Sequence, residues 1–321
     1  MVFSNTLTSN LEKLLAKGSG IKEIDKNAKG ISLKYRANDN DGKRLVTKQN
    51  EAIAYALSRM PATYESVSSV FKHVTATNSF NIDTVLDVGA GTGAATWAVH
   101  DNIGCKDYTC LEREDEMIKI GSELMEESEL SSCTKWKKFD IIADGVANQY
   151  DLVISSYMIN ELPKESIEGV LDQIWNATKQ ILIIVEPGTP KEFSNIKTIR
   201  TYLLSKNAHI IAPCPHENEC KLEDNDWCQF SCRIQRSKVH KMLKDGVAPY
   251  EDEKFSYIAF SKQSVNRAQN RILRHPIINK GYSEYTICTE NEIEKIKLSK
   301  KDGELYKKAK KKMAGDSLEL N

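Results

Sequence analysis

The sequence predicts an α/β fold: a Rossmann-like parallel sheet, preceded by an N-terminal helical region and followed by a cysteine-rich insertion and C-terminal part. Three observations predict it. Short apolar runs rich in β-branched residues alternate with helix-like segments from residue 84 to 188. The first of these runs ends in a cluster of glycines. The residues ahead of it carry helical rather than strand periodicity.

In the N-terminal region, "TKQNEAIAYALSRM" places Ile53, Ala56, Leu57 and Met60 on one helical stripe, with Thr47 as N-cap. Pro61 breaks that helix or starts the next, "ATYESVSSVFKHV". Four runs then read as strands: "TVLDVGAG", "DYTCLER", "YDLVISSY" and "QILIIVEPG". Helical segments from Ala94 to His100, Glu114 to Glu127 and Pro163 to Thr178 separate them, the pattern of a parallel sheet covered on both faces. After Gly188 the alternation stops. Two later strands are expected, "KFSYIAFSK" and "YSEYTICTE", with the basic stretch "NRAQNRILRHP" between them. Nine lysines between Lys295 and Lys312 read as a solvated helical tail or a contact for RNA phosphates. The expected division is 1–80 helical, 81–200 nucleotide-binding core, 201–292 cysteine-rich insertion and closing strands, and 293–321 lysine-rich tail.

The chain of 321 residues is 40% hydrophobic and 28% charged, which excludes a disordered polypeptide. Its formal net charge is zero, which argues against wholesale electrostatic binding to nucleic acid and gives no expectation of a DNA partner. No stretch approaches the roughly 20 apolar residues of a membrane span. The N-terminus reads as neither signal nor transit peptide, so a cytoplasmic, reducing setting is expected. Eight cysteines there point to thiols or metal ligands rather than disulfides.

"VLDVGAGTGAATWAV" is the most specific local signal. Gly89, Gly91 and Gly93 let the backbone turn sharply and approach a ligand. Ala94 is compatible with dinucleotide spacing, so a nicotinamide dehydrogenase is one reading. Two features favour S-adenosylmethionine (SAM). Asp87 stands just before the loop, where a carboxylate meets the cationic end of SAM. The string "DVGAGTG" resembles the first motif of class I SAM-dependent methyltransferases. Glu112, ending the second strand, is placed to accept from both ribose hydroxyls, and Asp140 falls where such proteins contact the adenine amino group. At the end of the fourth strand, "DLVISSYMINELP" offers Tyr157 and Asn160 as catalytic candidates that position a base, without a secure catalytic signature.

The segment from Ile210 to His240 holds Cys214, Cys220, Cys228 and Cys232. They do not form two CxxC knuckles, so a zinc ribbon is not expected. The segment is polar and turn-rich, and a metal would supply the stability its apolar content lacks. Thiolates select zinc or an iron–sulfur cluster.

The ordered series "RMPATY", "VLDVGAGTGAATWA", "DLVISSYMINEL", "EPGTP", "APCPHENECKL", "DWCQFSCRIQRSKVHKMLK" and "YEDEKFSYIAFSK" resembles the methyltransferase-like family associated with the small ribosomal subunit, a family with mitochondrial members and bacterial relatives. The resemblance runs from about Tyr35 to the lysine tail. It implies a [4Fe–4S] cluster held by Cys214, Cys220, Cys228 and the remote Cys288, with zinc as the alternative and Cys232 as a spare thiol. It also implies contact with small-subunit rRNA during assembly or early translation, either as an rRNA methyltransferase or as a non-catalytic factor that uses SAM and metal as structural ligands. Two basic groups would serve that contact: Arg233, Arg236, Lys238, His240, Lys241 and Lys244, and the helical-face set Arg267, Arg271 and Arg274.

Overall fold

A computed structural model of the chain describes residues 5–18, 20–36, 42–223, 225–236, 248–318 and 320. The chain divides into two units: Met1–Ser69, Asn81–Lys179 and Cys232–Glu253 form the first, and Val70–Phe80, Gln180–Ser231 and Lys254–Asn321 the second. This differs from the four-part division expected from sequence, because the chain leaves and re-enters each unit.

The first unit begins with helices α1 (Asn5–Lys17), α2 (Ile21–Arg36) and α3 (Gln49–Ser58), and α4 (Met60–Thr75) starts in it. Residues 51–54 and 56–58 of α3 are buried; alanines there permit close packing. Its entry is held by Glu51, whose carboxylate accepts from the amides of Thr47 and Lys48 at 2.9 and 3.3 Å and pairs with Lys34 Nζ at 2.6 Å. The N-cap is thus Lys48 and not Thr47. Pro61 sits in the first turn of α4, where a missing N–H costs nothing.

The parallel strands follow: β1 (Thr84–Val88), β2 (Asp107–Glu112), β3 (Thr134–Lys138) and β4 (Tyr150–Ser156), alternating with α5 (Ala94–Ile103), α6 (Asp115–Met125), the single turn α7 (Leu130–Cys133) and α8 (Ile167–Asn176). Their order is β3-β2-β1-β4, with Asp87 opposite Cys110 on one side and Ile154 on the other. The order reverses at β1, the switch point at which such sheets open a crevice beyond their carboxyl ends. β1 and β4 are also tied at their start by Asp151, which accepts from the amides of Asp83 and Thr84 and from Thr84 Oγ1. Strand β3, "TKWKK", escapes a hydrophobicity reading because its lysines face outward while Trp136 packs so tightly over Gly121 that a Cβ there would meet the indole at 2.4 Å.

The second unit carries β5 (Thr178–Pro187), α9 (Pro190–Ser205) and β6 (His209–Ala212); β7 (Phe230–Gln235) pairs with β8 (Tyr250–Ser261). β8 runs antiparallel to both β5 and β6. A second, antiparallel sheet is made of β9 (Arg271–Ile272), β10 (Ile277–Asn279), β11 (Tyr282–Cys288) and β12 (Ile293–Ser299), and α10 (Gly303–Ala309) follows. The lysine-rich end is therefore not a solvated tail. "IEKIKLS" alternates as a strand, and Leu298, Tyr306, Ala309 and Leu318 join Ile272, Tyr285 and Ile287 in one core.

The expected helical face of Arg267, Arg271 and Arg274 is also corrected. Arg271 lies in β9 and is buried, donating to the carbonyls of Pro213 and Gly315. Arg267 pairs with Glu217 at 2.7 Å, and Arg274 with Asp226. In the first basic group, Arg233 pairs with Asp252 and Arg236 with Glu251; Lys238, His240, Lys241 and Lys244 lie outside the described residues.

Gly315 closes this unit. Its φ is +96°, its amide donates to Ile272 O at 2.8 Å, and a Cβ on it would meet the His73 ring at 2.4 Å. Gly315→Val is expected to destabilise the chain by about 2–4 kcal/mol, read as a shift in the chemical unfolding midpoint. The neighbouring Lys311→Ala, on an exposed residue, is expected to change it by less than about 0.5 kcal/mol.

Candidate functional site

At the carboxyl ends of β1, β2 and β4 the first unit opens a cavity. The glycine loop forms one wall. Gly89 has φ +69°, and a Cβ there would collide with Met158 at 2.4 Å. The chain can pass beneath Met158, the second residue after β4, only because this side chain is missing.

Four amides of the loop are consumed internally. Those of Gly89 and Ala90 donate to Leu111 O at 2.9 and 3.0 Å, and that of Gly93 donates to Ala90 O. The Gly91 amide donates to Glu112 Oε2 at 2.8 Å. Glu112 Oε1 also accepts from the amides of Arg113 and Glu114, at 2.7 and 2.9 Å. A carboxylate has about four acceptor sites, so one remains, on Oε2 beside Gly91. Burial raises the pKa of Glu112, and the three amides oppose that rise. The ionisable groups on the wall are the carboxyls of Glu112, Glu114, Asp140 and Glu161 and the guanidinium of Arg113.

Of the residues singled out by sequence, Gly89, Gly91, Glu112, Asp140 and Tyr157 line this cavity. Asp140 also accepts from the Ile142 amide at 3.0 Å, closing a local turn. Tyr157 has φ +57°; its hydroxyl lies 3.0 Å from Ser66 Oγ and donates to Glu253 at 3.3 Å. Asp87, Gly93 and Asn160 do not line the cavity. Asp87 is buried, with Oδ2 accepting from the amide and hydroxyl of Thr96 at 3.1 and 2.8 Å, so it joins β1 to the first turn of α5. Gly93 is the N-cap of α5, and a Cβ there would meet Met125 at 2.6 Å.

Sequence reading passed over Tyr35, Tyr55 and Glu161. Tyr35, from α2, bonds to the Glu161 carboxyl, and Tyr55, from α3, bonds to Tyr35. The tyrosine ring centroids are 6.1 Å apart. Burial first, then the neighbouring Glu112, pushes Glu161 up to about 8, with Arg113 and Tyr35 opposing. A helical stripe of mixed polarity conceals such residues, because nothing local says that α2 and α3 face a cavity.

In the second unit, Cys214, Cys220, Cys228 and Cys288 line a single cavity together with His216, Arg200 and Arg271. Three of the cysteines come from the irregular segment between β6 and β7, and Cys288 is the last residue of β11. Burial first, then the other thiols, pushes Cys228 far up; burial pushes Cys288 to about 12, opposed by Arg200 and Arg271. Arg200 is buried and donates to the carbonyls of His216 and Asn218 at 3.1 and 2.5 Å. The expectation of a metal-binding insertion needs correction at this point. Among the described residues no group of three or more His, Cys, Asp or Glu side chains is arranged to hold a metal ion, although the four thiols line one cavity. Cys232 stands apart in the first unit, 3.6 Å from Ser66 Oγ.

The family profile described as "Rsm22: Mitochondrial small ribosomal subunit Rsm22" matches residues 49–319. The chain is similar to the human ribosome assembly protein METTL17, mitochondrial: 26% identical over 278 residues, 81% of this chain and 59% of that protein. It is also similar to the mitochondrial Rsm22-cox11 tandem protein 2 of Schizosaccharomyces pombe, 27% identical over 194 residues, 54% of this chain and 26% of that protein. The chain thus spans less than two thirds of either relative. Among solved structures it is similar to the magnesium protoporphyrin IX methyltransferase of Synechocystis PCC 6803 with bound SAM: TM-score 0.43, 13% identity, 72% of this chain and 91% of that one. The relatives overturn the cytoplasmic expectation, since they are mitochondrial proteins. No helix among the described residues is long and apolar enough to cross a membrane.

The environment of Asp87 makes a pH prediction. Burial pushes its carboxyl from 3.8 to about 7, opposed by Thr96. The folded state therefore holds this proton more tightly than the unfolded chain does. The stability this contributes is complete below about pH 4 and is lost as pH rises to about 7. Asp87→Asn removes that slope: relative to the parent, the variant's denaturant midpoint is expected to rise between pH 4.5 and 7.5.

Proposed function

We propose, from the premise that this chain belongs to the family described as mitochondrial small ribosomal subunit Rsm22, that it is a SAM-binding, methyltransferase-like factor for the assembly of a small ribosomal subunit. Its ligand occupies the cavity at the carboxyl ends of β1, β2 and β4. The observation that carries the reading is the state of the glycine loop. A loop that binds pyrophosphate leaves its amides free for the anion. Here those of Gly89, Ala90, Gly91 and Gly93 are committed, and the wall carries four carboxyls against one guanidinium. Both features repel a nicotinamide dinucleotide and suit a ligand with no phosphate and a cationic centre. The open acceptor site of Glu112 takes a ribose hydroxyl, and Asp140 supplies an acceptor for the adenine amino group.

The assembly-factor role is favoured over methyl transfer. Tyr157 spends its hydroxyl on Ser66 and Glu253, and Asn160 is off the cavity wall. A relative that covers most of this chain is itself a ribosome assembly protein. The partner is small-subunit rRNA or a protein bound to it. The other described arginines of both basic groups are paired within the chain, and Arg271 is buried and capped by carbonyls, so Arg271 does not serve the contact.

Cys214, Cys220, Cys228 and Cys288 would hold a [4Fe–4S] cluster. The fit rests on four thiols lining one cavity, with Arg200 and Arg271 beside them to balance thiolate charge. When bound, such a cluster ties the irregular segment after β6 to the end of β11, a structural crosslink.

Two measurements check these readings. Protein purified without oxygen is expected to be brown and to contain near-stoichiometric iron and sulfide; Cys220→Ser is expected to lose the colour and to unfold at a lower temperature. Colourless parent protein containing zinc would overturn the cluster. Equilibrium dialysis with purified small subunits is expected to give binding that persists in Gly91→Val, a variant that blocks the cofactor cavity, with no tritium transferred from methyl-labelled SAM to RNA by the parent. Transfer by the parent that Gly91→Val abolishes would establish the enzymatic role instead.

A further inference from the structure

We infer that Glu161, held by Tyr35 on the cavity wall, makes this site select a sulfonium cation over the neutral thioether left after methyl loss. The inference rests on the SAM reading of the cavity and deepens it. Glu161 follows β4, at the edge of the sheet where reacting groups approach. Its carboxyl lines the same cavity as Glu112, and its position is fixed from several sides. Tyr35 donates to it from α2, and Tyr55 backs Tyr35 from α3. Its own carbonyl accepts from the Gly42 amide at 3.2 Å, which anchors the backbone of this turn.

SAM and S-adenosylhomocysteine share adenine, ribose and amino-acid ends. They differ by one methyl group and one positive charge at sulfur. Discrimination between them therefore needs a group that senses that charge and little else. Glu112 cannot serve, because three amides already neutralise most of its acceptor capacity. Glu114 is drawn to Arg113 and Arg44. Glu161 has no guanidinium hydrogen-bonded to it among its perturbing neighbours; Arg113 acts on it only through space.

The groups facing Glu161 are Tyr35 from α2, Tyr55 from α3, and Glu112, Arg113 and Glu114 from the end of β2 and the residues after it; Arg59, which follows α3, lies over the Tyr35 ring. In the empty cavity, burial and Glu112 hold the Glu161 carboxyl protonated up to about pH 8. A neighbouring sulfonium favours the ionised form, so SAM binding expels the proton, whereas the thioether leaves it in place. SAM affinity then rises with pH until the carboxyl of the empty cavity is ionised, while affinity for the thioether does not. A nearby opposite charge lowers a carboxyl pKa by about 1–3 units, which makes the SAM-to-thioether affinity ratio grow roughly tenfold between pH 6.5 and 8.5.

The test is isothermal titration of the full chain with each compound at pH 6.5, 7.5 and 8.5, in buffers of differing ionisation enthalpy. The inference expects the tenfold growth of the ratio and release of about one proton per SAM near neutral pH. Glu161→Gln is expected to bind the thioether as the parent does, with a flat ratio and no proton release. Tyr35→Phe, which removes the hydrogen bond that favours the ionised form, is expected to move the rise to higher pH. Both compounds binding with the same pH-independent ratio in parent and Glu161→Gln would overturn the inference alone. Binding of neither compound by the folded parent would overturn the SAM reading and the inference with it.

Discussion

The first unit depends on how the Glu112 carboxylate divides its acceptor sites. One oxygen takes the Gly91 amide and the other takes the amides of Arg113 and Glu114. That one side chain at the end of β2 therefore shapes the loop after β1 and the chain that leads into α6. A buried carboxylate is costly unless such bonds are made. Together with the bonds from Gly89 and Ala90 to Leu111 O and from Gly93 to Ala90 O, the bond from Gly91 commits four amides of the loop. The charge character of the cavity follows from this local geometry, not from the net charge of the chain, which is zero.

The same economy recurs in the second unit with the opposite sign. Arg200 and Arg271 are buried, and each ends on backbone carbonyls: His216 and Asn218 for the first, Pro213 and Gly315 for the second. Two guanidinium groups thereby organise the irregular segment that carries Cys214 and Cys220, and they stand next to thiols whose deprotonation they favour. Arg271, which a sequence reader assigns to an RNA surface, is spent on holding backbone carbonyls. Arg271 shows why spacing misleads: Arg267, Arg271 and Arg274 fit a helical face, yet the chain there is extended and pairs with β11. Side-chain direction changes completely between those two conformations.

The alternating core was legible because its signals are local. Four β-branched runs, the glycine loop and the acid after "TCL" each announce themselves within a few residues, and β1, β2, β4 and β5 appear where the runs stand. Strand β3 and strand β12 were concealed for one reason. Both are lysine-rich and bury one face only, so their period of two is carried by few residues: Trp136 in the first, Leu298 in the second. The residues of the cavity divide in the same way. Gly89, Gly91 and Glu112 belong to a contiguous motif, whereas Tyr35 and Tyr55 reach the wall from helices distant in sequence, and Glu161 is marked only by the folded contact with Tyr35.

By itself, then, the order of residues determined the fold class, the position of the loop and the set of cysteines worth watching. These follow from short-range sterics and from side-chain chemistry that does not depend on distant partners. Tertiary structure decided the rest: that Asp87 serves Thr96, that the four thiols share a cavity, and that a carboxyl after β4 is kept neutral by burial beside another acid. Each of those facts is an electrostatic or packing relation between segments far apart in the chain, and desolvation has no value until the fold has chosen which groups leave water.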